Sequence, residues 1–439
     1  MAEKKKEYPR VLVVSHETFS ANTSMGRTLT SYFNGWDRDC LAQIFIQSQV
    51  PTSSICGKFY KYTDVDALAS LVQRGRIGKI LTEKDVDVYR EDATDTGRLR
   101  DIYYLGSKKK PVTYILRDWM WRHSTWHSGH LMEWARAFDP EVIFFAAGDY
   151  IFSNDIAMTL AEELGIPLVT CCMDDYYLYN QNEGSMLGRL RQEQFRKSYE
   201  ALMARSRCVF TISDQMADAY DERFGIKCRV LYTASSFKQQ EAETEKRGIT
   251  YLGGLEYNRN RQLVDIGRAL KQLSDGTIPD HVDVYSGSSS DELVSCLTED
   301  NGIVFHGSVS SEEVSRIIAS SLAVIHTESF DENNRRLVRF SVSTKIPDSL
   351  ASGTCILAYG PKDVASIRYL ADNDAAFVAG SGEELAECIR TLFHDEARRS
   401  AVIRNAKALA EKNHDAVKIP DYIRSVLTEV VAGETQSST

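Results

Sequence analysis

Two short stretches carry residue types that together could hold an anion. In "GGLEYNRNR" (253–261), Gly253 and Gly254 precede Arg259 and Arg261 at the start of a helical pattern. Glycine lets a backbone come close to a phosphate. A guanidinium meets phosphate oxygens at two points, and two cations offset a diphosphate. In "STKIPDSLASG" (343–353), Lys345 stands three residues before Asp348. A helix beginning there offers free N–H groups to a diphosphate, and Lys345 adds a positive charge. Gly353 then lets the chain turn into the apolar run "CILAY" without a Cβ penalty. Each stretch also has a plainer reading. The arginines fit a solvated helix face. Ser343 or Thr344 fits a helix cap, with Asp348 in the first turn against the dipole.

The elements that must position these residues alternate along the chain. "RVLVVSH" (10–16), "CLAQIFI" (40–46) and "DPEVIFFAAGDY" (139–150) read as buried strands. "NDIAMTLAEELGIPLVTCCMDD" gives a helix, a glycine stop and a strand that ends in acids. "RSRCVFTISDQMADAYDERFGI" repeats the scheme. The segment 50–112 is polar and carries no clear period; "EDATDTGRLRD" within it reads as a loop or weak helix. The charged stretch 238–248 is the linker candidate. Alternation restarts after it with "GITYLGGL", "HVDVYSG", "IVFHGSV" and "LAVIHTES". The pattern is α/β, with two Rossmann-like parallel-sheet domains facing a cleft. The expected domains are 1–240 and 248–411, with a helix at about 412–432 packing back on the first. Open sheets of this kind bind ligands beyond the carboxyl ends of their strands.

Bulk properties exclude several classes. A chain of 439 residues exceeds one ordinary core. A net charge of −10 argues against broad nucleic-acid binding. Nine cysteines without a CxxC pair read as reduced thiols of a cytoplasmic protein. "MAEKKKEYPR" lacks a signal-peptide core, and no apolar run is long enough to span a membrane. No G-x-G-x-x-G follows "VLVVS", which speaks against a dinucleotide-binding dehydrogenase. His123, His127 and His130 are spaced for one helix face. Three such histidines could hold zinc, but Gly129 and the Ser/Thr residues weaken that helix, and no carboxylate follows in register. An aromatic, basic surface or plain packing is the better reading of that stretch.

The ordered set "YLGGLEYNRNRQLVDIGRAL", "IVFHGSVSSEEV", "STKIPDSLASGTCILAYGP" resembles the nucleotide-sugar-binding half of a GT-B glycosyltransferase. The likeness is to the family-4-like enzymes of bacterial polysaccharide and glycan synthesis, and it covers roughly residues 9–430. Lys345, Asp348, Leu350 and Gly353 fall on the family's K-x-x-E-Y-L-x-x-G pattern, with Asp in place of the usual Glu. The resemblance implies that Asp348 grips the donor ribose. It implies that Arg259, Arg261 and Lys345 hold the leaving diphosphate, with Arg259 the first choice. Gly254 would approach the donor phosphates. The loop of Gly307 and Val309 would meet the nucleobase, with His306 a strand-end residue rather than a catalyst. The family's first acid would fall on Phe340, which is not an acid; Glu328, Asp331 and Glu332 lie further back, and the choice among them stays open.

On the acceptor side the resemblance points to the loop "SHETFSANTSMGR". There Gly26 permits close approach to the donor, and His16, Ser24 and Arg27 could touch ligand. Asp149, Asp174 and Asp175 end strands and could orient acceptor hydroxyls or, for Asp175, act as the base. The implied reaction is transfer of a sugar from a nucleoside-diphosphate sugar to a hydroxyl, with retention of configuration. The donor is a substrate, and no resident cofactor or metal is implied. The acceptor would be a glycan or a lipid-linked molecule, with peripheral contact at the inner membrane face left open. On this reading Arg259→Ala lowers turnover much more than it weakens folding. A nucleotide-sugar epimerase of the same fold and a catalytically degenerate scaffold are the competing readings.

Overall fold

The computed structural model describes residues 8–21, 23–72, 77–90, 111–127, 129–179, 185–237, 246–288 and 290–433. The chain forms two compact units: Met1–Leu231 with Val417–Thr439, and Tyr232–Ala416. The first crossing thus lies at 231–232, where the sequence reading placed a boundary at 240. Residues 238–245 of the proposed linker and 91–101, the "EDATDTGRLRD" stretch, lie outside the described residues.

The first unit is built on β1 (Val11–Ser15), β2 (Leu41–Phe45), β3 (Lys58–Lys61), β4 (Lys79–Thr82), β5 (Val142–Ala147), β6 (Leu168–Cys172), β7 (Cys208–Thr211) and β8 (Arg229–Val230). They line up as β4-β3-β2-β1-β5-β6-β7-β8. All neighbours are parallel except β3 and β4. β1, β2, β5 and β6 are buried at every residue, as continuous apolar runs in a doubly covered sheet should be. Helix signals were also legible. Ser213 caps the helix Asp214–Phe224, which stops at Gly225 with φ 64°. Gly165, at φ 67°, ends Ile151–Leu164. The helix Lys418–Val431 returns to this unit, where Glu429 pairs with Arg229 at 2.8 Å.

The second unit holds β9 (Arg247–Leu252), β10 (Val282–Tyr285), β11 (Ile303–Gly307), β12 (Ser321–Thr327), β13 (Cys355–Tyr359) and β14 (Phe377–Ala379), in the order β11-β10-β9-β12-β13-β14, all parallel. Its core lies on both faces of this sheet. Ile249, Leu263, Ile266, Val284 and Leu357 pack on one side; Val324, Ile346, Leu350, Ile356 and Ile367 pack on the other. Strand order reverses between β1 and β5 in the first unit and between β9 and β12 in the second. Those two points are where open α/β sheets leave room for a ligand.

The histidine spacing does not produce one helix face. Pro111–His123 and His130–Phe138 are separate helices. His123 bonds the carbonyl of Trp119, while His130 meets Tyr60. Among the described residues no group of His, Cys, Asp and Glu is arranged to hold a metal, and no helix is long and apolar enough to cross a membrane.

A buried histidine gives the second unit a defined acid response. His414 is 1% exposed; its Nδ1 faces the carbonyl of Thr233 at 2.7 Å and its Nε2 faces the Tyr369 hydroxyl at 2.9 Å. A proton on Nδ1 serves the carbonyl and leaves Nε2 to accept from tyrosine, so the neutral ring fits. Burial holds its pKa down from 6.5 to about 4. A lowered pKa means the unfolded chain binds the extra proton first. Stability from this group is complete above pH 6.5 and is lost as pH falls toward 4, by roughly 3 kcal/mol. His326, held down to about 3 by burial and by Arg259 and Lys345, acts in the same sense. Urea melts of the second unit at pH 7 and pH 4.5 should therefore differ, and His414→Gln should remove about half of the difference. An unchanged slope in that variant would clear His414 of the role.

Candidate functional site

In the second unit the site is assembled at the ends of β9 and β12. β9 runs into Gly253-Gly254, and the chain re-enters a helix, Arg259–Leu273, through two left-handed residues, Tyr257 (φ 61°) and Asn258 (φ 62°). Consecutive non-glycine residues in that region are costly and persist only where the surroundings impose them. Here they aim Arg259 across to Glu328, just beyond β12. The Arg259 side chain is 19% exposed and that of Glu328 is 3% exposed. Nη2 of Arg259 reaches both carboxylate oxygens, at 3.0 and 2.9 Å, and Nε reaches one at 3.2 Å. The Tyr257 ring lies 5.5 Å from the guanidinium carbon.

Burial lifts the Glu328 carboxyl, while Arg259 and Lys345 act against the lift; the same pairing raises Arg259 despite its own burial. The two-point contact favours the ionised form of both groups and so opposes the lift. Lys345 completes the cluster: a Cβ placed on Gly253 would come within 3.1 Å of its Nζ. Gly253 thus leaves room for the ammonium. Behind the pair lies His326, its side chain 12% exposed and its Nε2 3.7 Å from Glu328 Oε1.

The structure therefore brings Arg259 and Lys345 together, as the sequence suggested, but around a different acid. Asp348 is turned away from the cluster. Its Oδ1 accepts from the Ser235 hydroxyl at 2.8 Å and the Ser236 amide at 2.7 Å, and its Oδ2 accepts from the Ser236 hydroxyl at 3.1 Å. It ties the start of this unit to the short helix Ile346–Ala351, whose N-cap is Lys345 rather than Ser343 or Thr344. Of the three acids left open, Asp331 caps Glu332–Val338, Glu332 pairs with Arg336 on the surface, and Glu328 enters the site. Phe340 is buried beneath Arg339.

Arg261 is exposed. Two residues on along a helix from Arg259, it points away from the cluster. Gly254 is bonded through its carbonyl to the Tyr251 hydroxyl at 2.5 Å. Gly307, at φ 75°, ends β11 and Val309 follows it, two strands from β9 and so about 10 Å along the sheet. His306 bonds Asp283 at 2.7 Å and stacks on Tyr285, a strand-end role. Gly353, at φ 71°, makes the left-handed turn into β13.

In the first unit the strand ends carry a second cluster. His16, after β1, stacks on Tyr150, after β5, with centroids 4.9 Å apart. Asp149 accepts from the Tyr114 hydroxyl at 2.7 Å, and Asp174 accepts from Tyr176 at 3.4 Å. Asp175 is committed elsewhere. It is 8% exposed and accepts from the amides of Tyr177 and Leu178 and from the Tyr220 hydroxyl. All three of these bonds go to Oδ1, which fixes the carboxylate to its own loop. Gly26 is also structural: a Cβ there would lie 2.5 Å from Thr23 Oγ1 and 2.6 Å from the Thr18 carbonyl, and its amide faces Glu17.

Two arginines that sequence reasoning passed over anchor this cluster. Arg117 bonds Asp64 at 2.8 Å and lies 4.2 Å over Tyr150. Arg191, 4% exposed, lies 3.7 Å from Asp118, bonds the Asp149 carbonyl and sits over Tyr114. Burial pushes Asp118 up to about 6.

Comparison with known proteins fits this architecture. Residues 261–424 match the family described as glycosyl transferase-like. Among solved structures, sucrose-phosphate synthase from Thermosynechococcus elongatus superposes with a TM-score of 0.61 at 12% identity, over 98% of this chain and 100% of that one. HepE of Anabaena, solved with UDP and glucose, gives 0.60 at 14% identity, over 96% and 100%. The UDP-forming α,α-trehalose-phosphate synthase of Burkholderia xenovorans, solved with glucose-6-phosphate, gives 0.57 at 11% identity, over 95% and 100%. No curated protein sequence matches. The two parallel-sheet units and these superpositions show that the chain has the two-domain fold of those enzymes, and residues 261–424, most of them in the second unit, are similar to the glycosyl transferase-like family.

Proposed function

We propose that the protein transfers a sugar from a nucleoside-diphosphate sugar to a hydroxyl acceptor, with retention at the anomeric carbon. The observation that carries the reading is the pairing of Arg259 and Lys345 around Glu328 at the strand-order reversal of the second unit. Two cations at a sheet's carboxyl end are suited to a diphosphate that gains charge as it leaves. Glu328 holds the guanidinium in a defined orientation, which reduces the reorganisation needed when the anion arrives. UDP is the first nucleotide to try, because HepE of Anabaena was solved with UDP and with UDP-glucose. Lys345 and Arg259 act on the diphosphate; Gly307 and Val309 lie where a base could extend along the sheet. His16, Asp149 and Asp174, at the strand ends of the first unit, are the acceptor-side candidates.

The test is a thermal-shift series with UDP, GDP and their glucose and mannose conjugates. A ligand that binds only the folded protein, at a hundred times its dissociation constant, adds about 2.7 kcal/mol. A rise in melting temperature with one nucleotide series is expected. No rise with any of them removes the donor reading. The anomeric proton of the first product, observed by NMR before mutarotation, decides retention.

A further inference from the structure

His326 sits at the end of β12, behind the ion pair that the donor reading uses. Its Nε2 is closed off from solvent and has no hydrogen-bond partner among the described residues. A buried polar atom without a partner is uncommon and calls for a reason. Glu328 Oε1 lies 3.7 Å from it, just too far for a hydrogen bond. The charged and titratable groups around the imidazole are Glu328 beyond its own strand, Arg259 from the helix Arg259–Leu273, Lys345 from the segment before Ile346–Ala351, and the Tyr251 hydroxyl of β9, which senses Arg259 and Glu328. Burial first, and then the two cations, hold the imidazole neutral while Arg259 occupies Glu328.

A bound diphosphate changes the charges around the imidazole, though not its burial. The guanidinium that turns toward phosphate oxygens no longer serves Glu328. A carboxylate that is 3% exposed is then left without its donor, which is costly. At the same time an anion enters and offsets the cations that opposed a charge on the imidazole. We propose that His326 is a positioning residue that takes one proton from solvent onto Nε2 when Arg259 engages the donor diphosphate, and so holds Glu328 in Arg259's place. The imidazole then carries a proton on each nitrogen, and the acid stays fixed for the next donor exchange. The inference rests on the donor reading and adds a proton to it.

The experiment is titration calorimetry with UDP at pH 7.5 in buffers of different ionisation enthalpy, such as phosphate and Tris. The dependence of the measured heat on buffer counts the protons taken up. The native protein should take up about one more proton per UDP than His326→Gln, whose amide can donate to Glu328 without titrating. The affinity of His326→Gln should stay within about threefold of native. His326→Asn replaces it if that variant does not fold. A structural role alone would leave the proton count unchanged. Equal uptake in the two proteins, or none in a native protein that binds UDP, overturns the inference. Absence of UDP binding instead overturns the donor reading.

Discussion

Arg259→Met should cost the second unit about 3–5 kcal/mol, and Glu328→Leu a similar amount, because either change strands a buried charge. The double variant Arg259→Met/Glu328→Leu should regain most of that loss, since an apolar pair of similar volume removes both desolvation penalties. Activity should behave differently. The singles and the double should all lose about 100- to 1000-fold in turnover, the usual effect of deleting a preorganised group aimed at developing charge. The sequence alone suggested that Arg259→Ala lowers turnover much more than it weakens folding; the geometry adds a sizeable folding cost. Arg259 makes three contacts with a carboxylate that is 3% exposed, so a single substitution confounds the two effects. Urea midpoints and initial transfer rates, measured on all four proteins, separate them. Additive destabilisation would show that the pair is not an energetic unit. A double variant that turns over at the native rate would remove Arg259 from the chemistry.

The same pair shows where sequence reading stopped. Arg259 and Lys345 were legible because each sits in a compact stretch that ends a strand and opens a helix, and glycine beside a cation narrows the chemistry. Their acid was not. Glu328 lies 69 residues from Arg259 and is joined to it only by the pairing of β9 with β12. Asp348 had the right spacing from Lys345 and Gly353, yet its helix turns the carboxylate toward Ser235 and Ser236. Spacing fixes position along the chain; the neighbour that fills a carboxylate's hydrogen bonds is a tertiary fact.

The sheets divide in the same way. β1, β5, β6 and β13 are buried on both faces and read as unbroken apolar runs. β3 begins and ends in lysine, and β4 is an antiparallel edge strand with Leu81 as its buried residue. Neither carries the signal of an interior strand. The helix Met186–Arg205 was missed for a related reason: it exposes Met186, Leu187 and Leu190 and buries Arg191. Its later turns bury Phe195, Tyr199, Leu202 and Met203 in the ordinary way, but its first turns are inverted around the very arginine that anchors Asp118 and Asp149. Local rules fail there because a buried cation is held by its partners rather than by its pattern.

Lys345→Ala is the cleaner probe of the electrostatics. Lys345 is exposed, and its Nζ lies over Gly253 at the end of β9 without being sealed in the core. Its removal leaves Glu328 with the two-point grip of Arg259, so no buried charge loses its main partner. Stability should therefore change by no more than about 0.5 kcal/mol, as for ordinary surface substitutions. Turnover should still fall about 100-fold, because the ammonium supplies charge where the diphosphate departs. Lys345→Arg should recover part of the rate, since the charge is kept while the shape of the donor changes. Part of the loss should also appear as weaker UDP binding, because the product diphosphate carries the charge that the transition state is developing. A native turnover in Lys345→Ala, with UDP affinity unchanged, would leave Arg259 as the sole cation on the leaving group and would reduce Lys345 to the cap of the helix it begins.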